Sequence, residues 1–404
     1  MNDNSQAFLL LEDGTVFKGH PLGAHGITVG EAVFTTGMNG YIETLTDPSY
    51  YGQIVTQTFP LIGNYGIIPS DFESDSCYVR GYIVQSCCKT PSNFRSEGDL
   101  DSFLKMQNII SLCDIDTRAL TKILRESGVM NAMIISGEDE NALRAKKALF
   151  APDDSEEKQT LLRQIKNYKI KNAVENVSHL TQNKKMEAQN KNALNVVLWD
   201  FGAKKNIQRE LLKRSLNVTL VPANTTAEKI KSLNADGVLL SNGPGDPLDN
   251  AEIILQIKKV LEENIPIFGI CLGHQMLALA NGAKTQKLKY GHRGANQPVK
   301  NLQTGRIYIS SQNHGYAVKN DSLPPNAVES FVNTNDGTNE GLVYTEHPAF
   351  SVQFHPEACA GPLDTSFLFD DFVKLIQDHN YFKGFTKNFN RINPQNFFSQ
   401  NGEK

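Results

Sequence analysis

The chain has 404 residues, of which 40% are hydrophobic and 21% are charged, and its formal net charge is −4. This length predicts two domains, because one domain usually holds roughly 100–200 residues. The slightly acidic balance argues against nucleic acid as a partner, since domains that bind nucleic acid are usually strongly basic. No apolar stretch approaches the roughly 20 residues that span a bilayer, so we expect no membrane segment.

The start of the chain and its cysteines indicate the cellular compartment. Residues 1–6 lack the basic and apolar segments of a signal peptide. The cysteines form no C-x-x-C pair and no spacing typical of a metal site; they are Cys77, Cys87, Cys88, Cys113, Cys271 and Cys359. We therefore expect reduced thiols, no metal and a cytoplasmic location.

Residues 1–140 have the pattern of a small α+β domain built mostly from short strands. Asp116 is a typical N-cap, and the apolar spacing after it predicts a helix over residues 117–126. Residues 37–66 are rich in glycine, asparagine and aromatic side chains, which favour turns and loops. We expect this domain to be the smaller of two.

Residues 194–380 have the regular alternation of a parallel α/β domain. From residue 195 to about residue 280, short apolar runs alternate with amphipathic helices, which predicts βαβ units and an open, largely parallel sheet. The preceding residues 141–193 are polar and charged, which predicts a partly helical connector with no chemistry of its own. The polar residues 381–404 predict a tail. The fold class is therefore predicted to be α/β, with a smaller N-terminal α+β domain.

A short run around Cys271 follows an apolar strand and precedes a stretch from Gln275 that favours a helix. Cys271 stands between Gly269 and Gly273, the spacing of a nucleophile elbow with sulfur in place of the hydroxyl. Such a turn is tight, and any side chain at the two glycines would crowd it. The positive end of the following helix favours a reactive thiolate. The alternative is a buried structural cysteine, which is what most cysteines are.

Two other motifs follow predicted strands of the same sheet. Gly243-Pro244-Gly245 follows one strand and His355-Pro356-Glu357 a later one, and ligands bind at the carboxyl ends of parallel strands. In an extended chain, His355 and Glu357 point to the same side, so the carboxylate can orient the imidazole toward the thiol. The amides of Leu272 and of the glycine turn are placed to bind an oxyanion. Alone, each motif would be an ordinary turn.

With these three motifs in this order, residues 194–380 resemble the class I (triad) glutamine amidotransferases. The resemblance implies that Cys271 is the nucleophile, that His355 is its base and acid, and that Glu357 orients the histidine. In that family the thiol attacks the side-chain amide of glutamine and releases ammonia. The resulting thioester is hydrolysed to glutamate. The amides of Leu272 and Gly243 would stabilise the oxyanion.

Over nearly its whole length the chain also resembles the small subunits of carbamoyl phosphate synthetases, and five runs carry this likeness, the first two of them in the first domain: Gly40–Tyr50, Asp116–Thr121, Asp200–Lys204, Ser241–Pro247 and Ser311–Tyr316. The resemblance implies L-glutamine as substrate, no cofactor in this chain, and a large synthetase subunit as partner, with ATP and Mg bound only there. It also implies a set of glutamine-binding residues: Ser49, Gly243, Gly245, Leu272, Gln275, Asn313, Gly315 and Tyr316. Ser49 lies in the first domain, so we expect the pocket between the domains.

Several alternatives stay open at this point. The amidotransferase component of another synthase, such as anthranilate synthase, is usually near the size of the second domain alone, so residues 1–140 argue against it. A γ-glutamyl hydrolase or cysteine peptidase would need no partner. A non-catalytic relative would have lost the cysteine, and Cys271 is present. Gln297 and Tyr316 depart from the family pattern, which usually has histidine and phenylalanine there, but neither belongs to the triad, so we expect activity.

Overall fold

The computed structural model describes residues 6–178, 180–188, 193–358 and 360–378. The predicted tail over residues 381–404 and the side chain of Cys359 lie outside these described residues. Within the described ranges, no helix combines the length and the hydropathy that crossing a membrane requires.

The first part of the chain closes into a seven-stranded β-barrel in the order β1-β2-β8-β6-β4-β3-β9. The strands in this part of the chain, with β5 and β7 outside the barrel, are β1 Ala7–Leu11, β2 Val16–Gly23, β3 Gly26–Thr35, β4 Gln53–Gln57, β5 Leu61–Ile62, β6 Gly81–Ile83, β7 Ser86–Cys87, β8 Ile110–Cys113 and β9 Met130–Ser136. The barrel closes because β9 pairs antiparallel with both β1 and β3. Strands β5 and β7 form a separate short pair.

Six helices accompany the barrel strands: α1 Tyr41–Thr46, α2 Leu100–Met106, α3 Thr117–Ser127, α4 Glu140–Leu149, α5 Glu156–Lys166 and α6 Ala173–Val177. The predicted start of α3 is confirmed, since the Asp116 side chain accepts a hydrogen bond from the Ala119 amide. Helix α1 was not predicted, because its surroundings favoured turns. Ala145 of α4 and Ile165 of α5 are buried in one apolar cluster with Leu10 of β1. Both helices therefore pack on the barrel, while the domain bounds themselves stay a prediction.

The second part of the chain forms a ten-stranded sheet in the order β10-β12-β11-β13-β14-β19-β18-β17-β15-β16. Its first elements are β10 Lys184–Met186, β11 Asn195–Trp199, α7 Lys205–Lys213, β12 Asn217–Val221, α8 Ala227–Ser232, β13 Gly237–Leu240, α9 Ala251–Glu262, β14 Ile267–Ile270 and α10 Leu272–Ala280. The remaining elements are β15 Thr285–Asn301, β16 Ile307–Val318, β17 Ala327–Asn333, β18 Asn339–Tyr344, β19 Ala349–Val352 and α11 Phe367–Gln377.

The sheet is mixed, and its parallel part comprises β12, β11, β13, β14 and β19. These strands are mostly apolar, and apolar clusters pack on both faces of the sheet. Strands β15 to β18 pair antiparallel, because they follow one another without crossover helices. The carboxyl ends of β13, β14 and β19 therefore meet at one edge, and the predicted site motifs follow these three strands.

Candidate active site

Cys271 lies on a strained turn between β14 and α10. Its backbone has φ 54° and ψ −103°, a conformation that residues other than glycine rarely adopt. A Cβ atom on Gly273 would lie 2.3 Å from the carbonyl oxygen of Leu240, and one on Gly269 would lie 2.9 Å from that of Gly273. The helix begins at Leu272, directly after the cysteine. The turn thus has the tight geometry that the glycine spacing predicted for a nucleophile elbow.

His355 and Glu357 follow β19, and both side chains are fully buried. His355 Nδ1 lies 2.7 Å from Glu357 Oε1, so the two side chains do point to the same side. Burial raises the pKa of the Glu357 carboxyl, but His355 and Lys204 outweigh burial and lower this pKa to about 2. Burial and Lys204 lower the pKa of His355, yet the Glu357 carboxylate and the thiolate that forms at Cys271 raise it to about 10. The imidazole is therefore basic enough to accept a proton from the thiol, and the two anions stabilise the imidazolium that forms.

The thiol of Cys271 is surrounded by polar groups. Its S–H donates to the carbonyl oxygen of Asn313 at 3.7 Å, and the sulfur accepts a hydrogen bond from Gln353 Nε2 at 3.6 Å. His355 Nε2 is buried and has no hydrogen-bond partner of ordinary geometry among the described residues, and Cys271 lies close enough to raise the pKa of the imidazole. This nitrogen is therefore available to take the thiol proton when the S–H turns away from Asn313.

The predicted oxyanion donors lie close to each other. Leu272 is the first residue of α10, and Gly243 packs against it so closely that a Cβ on the glycine would lie 2.7 Å from Leu272 Cδ2. Neither backbone amide donates a hydrogen bond to another described residue. Two free N–H groups beside a nucleophile can bind a developing oxyanion. Their role in this chain stays a prediction.

Lys204, a buried lysine with no role predicted from the sequence, joins the triad to the barrel. Lys204 Nζ lies 3.2 Å from His355 Nδ1, 3.4 Å from Glu357 Oε1 and 3.5 Å from Asp47 Oδ2. Burial lowers the pKa of Lys204, but Asp47, Glu357 and Glu73 outweigh burial and raise it, so the ammonium group keeps its charge. Asp47 and Glu73 lie in the part of the chain that carries the barrel. One cation thus bridges the triad and the other domain.

Asp47 holds two of the predicted glutamine-binding residues. Its Oδ1 accepts from the Ser49 amide at 2.9 Å, and its Oδ2 accepts from Asn313 Nδ2 at 3.0 Å. The Ser49 hydroxyl oxygen accepts from Asn242 Nδ2 at 2.9 Å. Sequence reasoning missed Asp47 and Asn242 as site residues, although both stand in motifs that carry the family resemblance. The hydrogen bonds from Asn313 and Asn242 join the barrel part of the chain to the part with the ten-stranded sheet.

A cavity of about 400 Å³ opens between the barrel and the ten-stranded sheet and reaches Cys271. Every predicted glutamine-binding residue except Leu272 lines it: Ser49, Gly243, Gly245, Gln275, Asn313, Gly315 and Tyr316. Tyr168, Lys169 and Ile170 also line the cavity, so the segment 141–193 reaches the site, where no function was expected of it. The lining further includes Arg293, which no sequence motif singled out.

Two other buried histidines near the triad have structural partners. His274 Nδ1 lies 2.8 Å from Ser351 Oγ, and burial lowers the pKa of His274 to about 3. His314 Nδ1 lies 2.8 Å from the Tyr316 carbonyl oxygen, and its Nε2 lies 3.1 Å from Gln312 Oε1. No hydrogen bond joins either ring to the thiol, so neither histidine is placed as its base.

A separate group of buried charges surrounds His292 on β15. His292 Nε2 lies 2.9 Å from Asp336 Oδ2, and its Nδ1 lies 3.5 Å from Glu340 Oε1. His292, His314 and Glu340 bring one possible metal-ligand atom each within 4.8 Å of one another. Burial lowers the pKa of His292, but the two carboxylates raise it to about 9. At neutral pH the ring is therefore a cation that pairs with carboxylates, and a protonated imidazole does not bind metal.

This ion pair predicts a pH-dependent stability. Since the folded-state pKa of His292 lies above the unfolded value near 6.5, its stabilisation is complete below about pH 6.5 and is lost as the pH rises through 9. We expect the difference in unfolding free energy between wild type and His292→Gln to shrink by about 3 kcal/mol from pH 6 to pH 9.5. Urea unfolding of both proteins across this range measures it. A constant difference would contradict the prediction.

The comparisons with known proteins cover both parts of the chain. Residues 9–134 match the family model described as the CPSase domain of the carbamoyl-phosphate synthase small chain, and residues 197–375 match that of class-I glutamine amidotransferases. The carbamoyl phosphate synthase small chain of Fusobacterium nucleatum subsp. nucleatum is 50% identical over 92% of this chain and 98% of its own length. The chain belongs to the carbamoyl phosphate synthase small chain family.

Other members of the family are similar over the same span. The small chain of Vibrio vulnificus (strain YJ016) is 48% identical over 93% of this chain and 100% of its own length. That of Listeria monocytogenes serotype 4b is 47% identical over 92% of this chain and 97% of its own length. The predicted family is confirmed in both parts of the chain. The alternative, an amidotransferase component of another synthase, is wrong, because the first domain matches the small chain itself.

Proposed function

We propose that this chain is the glutaminase subunit of a glutamine-hydrolysing carbamoyl phosphate synthase. The observation that carries the proposal is the buried arrangement of Cys271, His355 and Glu357, in which the cysteine lines an interdomain cavity of about 400 Å³. A cavity of this size suits a small polar substrate, since small-molecule sites usually measure about 300–1,000 Å³. The family supplies the substrate, L-glutamine, and the products, glutamate and ammonia.

In the proposed reaction, His355 takes the proton of Cys271, and Glu357 stabilises the imidazolium that forms. The thiolate attacks the side-chain carbonyl carbon of glutamine, and the amides of Leu272 and Gly243 stabilise the oxyanion. His355 then donates its proton to the leaving nitrogen, which departs as ammonia and leaves a γ-glutamyl thioester. A water molecule, deprotonated by the same histidine, hydrolyses the thioester to glutamate and restores the thiol.

The proposed partner is a large synthetase subunit, which would receive the ammonia and bind ATP and Mg. The relatives are named small chains, and this name implies a larger chain. No cofactor is needed for the glutaminase step, because its nucleophile, base and oxyanion donors are all groups of this chain. A cytoplasmic location also remains our proposal; it rests on the free thiols of Cys77, Cys87, Cys88, Cys113 and Cys271.

One experiment tests the function. Glutamate release from glutamine is measured for the purified chain, alone and with a large subunit of the same family. We expect hydrolysis that the large subunit stimulates, and carbamoyl phosphate when ATP and bicarbonate are present. Faster hydrolysis of γ-glutamyl peptides than of glutamine would favour the γ-glutamyl hydrolase alternative and would reject the proposal.

Ser49→Ala tests the interdomain pocket. The Ser49 oxygen accepts from Asn242, and its hydroxyl hydrogen has no acceptor among the described residues, so it is free to donate to glutamine. We expect the KM for glutamine to rise about tenfold, with a smaller change in kcat, because a hydrogen bond to a charged group contributes about 1.5–3 kcal/mol. Steady-state kinetics measures both constants. The exposed Ser92→Ala is the control, and an unchanged KM in Ser49→Ala would contradict the pocket assignment.

A further inference from the structure

Arg293 is a buried cation in the wall of the cavity. It lies on β15, its exposed fraction is 4%, and it lines the same cavity as Cys271. Long charged side chains are almost never fully buried unless they are paired. A buried arginine is therefore expected to have an anionic partner, either in the protein or in a bound ligand.

The described residues supply Arg293 with little compensation. Its Nη1 donates to the Tyr290 carbonyl oxygen at 2.7 Å, whereas its buried Nε has no hydrogen-bond partner there. The carboxylate of Glu31 interacts with the guanidinium only electrostatically, because its oxygens bind Lys287 Nζ at 2.5 Å and Gln53 Nε2 at 2.9 Å. Burial lowers the pKa of Arg293, which is the effect expected for a cation without an anionic partner in contact.

The guanidinium lies against a glycine in the cavity wall. A Cβ atom on Gly315 would lie only 3.3 Å from Arg293 Nη2, so a side chain at this position would crowd the nitrogen, and both residues line the cavity. Ser49 lines the same cavity from the barrel side. Among the described residues the cavity thus holds a nucleophile and a planar cation with no carboxylate in hydrogen-bond contact, and a guanidinium binds carboxylates preferentially, through two parallel hydrogen bonds.

We propose that Arg293 binds the α-carboxylate of glutamine and thereby selects free glutamine as the substrate. The inference rests on the proposed glutaminase function and adds a binding residue to it. In glutamine, three carbon atoms separate the α-carboxyl carbon from the side-chain amide carbon that the thiol attacks. A charge fixed at one end of the cavity therefore sets the position of the reacting carbon at the other end. It also discriminates against glutamine within a peptide chain, whose α-carboxyl group is an amide.

Two other roles of Arg293 would give different results. A purely structural arginine would support β15, and its loss would slow the hydrolysis of every substrate alike. An arginine that only stabilises the thiolate of Cys271 would also affect all substrates alike, because the thiolate is common to them. Only a role in binding the α-carboxylate makes the effect of losing Arg293 depend on whether the substrate carries that carboxylate.

The test compares L-glutamine with L-glutaminamide, in which a neutral amide replaces the α-carboxylate. In the holoenzyme, wild type is expected to prefer glutamine by at least tenfold in kcat/KM. For Arg293→Gln we expect kcat/KM to fall about 100-fold with glutamine and less than threefold with glutaminamide, because only the first substrate loses a charge-assisted pair of hydrogen bonds. With glutamine, the kcat/KM of Arg293→Lys should lie between those of wild type and Arg293→Gln, since lysine keeps the charge and lacks the planar guanidinium. Arg144→Gln, at an exposed position on α4, is the matched control.

The outcomes separate this inference from the function on which it rests. Equal losses with both substrates in Arg293→Gln would overturn the role of Arg293 and leave the glutaminase function intact. A wild type that hydrolyses both substrates equally would overturn it without any variant, so the test survives if Arg293→Gln fails to fold. A holoenzyme that hydrolyses no glutamine would overturn both.

Discussion

Cys271→Ser is expected to lower the rate of glutamine hydrolysis by more than about 1,000-fold, because the residues of a catalytic triad act as one unit. A serine hydroxyl is far less acidic than a thiol, and His355 is placed to deprotonate a thiol. The substitution replaces only the sulfur atom by oxygen, and it keeps a hydrogen-bond donor beside the Asn313 carbonyl. The thermal unfolding temperature should therefore stay close to that of wild type.

Cys88→Ser is the matched control for this prediction. Its thiol donates to the Thr90 carbonyl oxygen at 3.4 Å in the barrel part of the chain, and a serine hydroxyl can make the same hydrogen bond. The control should retain wild-type hydrolysis. If Cys271→Ser kept a tenth or more of the wild-type activity, Cys271 would not be the nucleophile.

Lys204→Met is expected to weaken both activity and folding. Without the ammonium group, Asp47 and Glu357 lose the cation that lies within 3.5 Å of both, and the free energy of unfolding should fall by about 3 kcal/mol. Asp47 also positions Ser49 and Asn313, so kcat/KM for glutamine should fall about 100-fold, the effect of a small misplacement of reacting groups.

The pH profile identifies the electrostatic part of this effect. The charge of Lys204 lowers the pKa of His355, so its loss favours the protonated imidazole. The pH dependence of kcat/KM in Lys204→Met should therefore move to higher pH. Lys258→Met, an exposed lysine on α9, is the control and should leave the profile in place. An unchanged profile in Lys204→Met would restrict the role of Lys204 to packing.

The sequence predicted those parts of the site that depend on short segments. The turn at Cys271 follows from its two flanking glycines, and the contact between His355 and Glu357 follows from the two-residue period of extended chain. The parallel strands β11 to β14 were predicted because short, mostly apolar runs alternate there with helical segments. Each of these signals is contained in one short segment of the chain.

The parts that the sequence did not predict depend on contacts between distant segments. Strand β15 contains glycines and a proline, residues typical of turns, and its pairing with β16 is interrupted by two register shifts. Closure of the barrel depends on the pairing of β1 with β9, more than a hundred residues apart. Lys204 and Asp47 acquire their roles only through each other, and no pattern in either segment points to the other residue.

The ammonium group of Lys204 makes the docking of the two domains part of the catalytic geometry. A tilt of the barrel that lengthened its contact with Asp47 would also withdraw Ser49 from the substrate and release Asn313 beside the thiol. Hydrolysis would then slow without any change in the triad itself. We therefore expect the rate of glutamine hydrolysis to depend on how the barrel is seated against the sheet, even for changes made far from the sulfur.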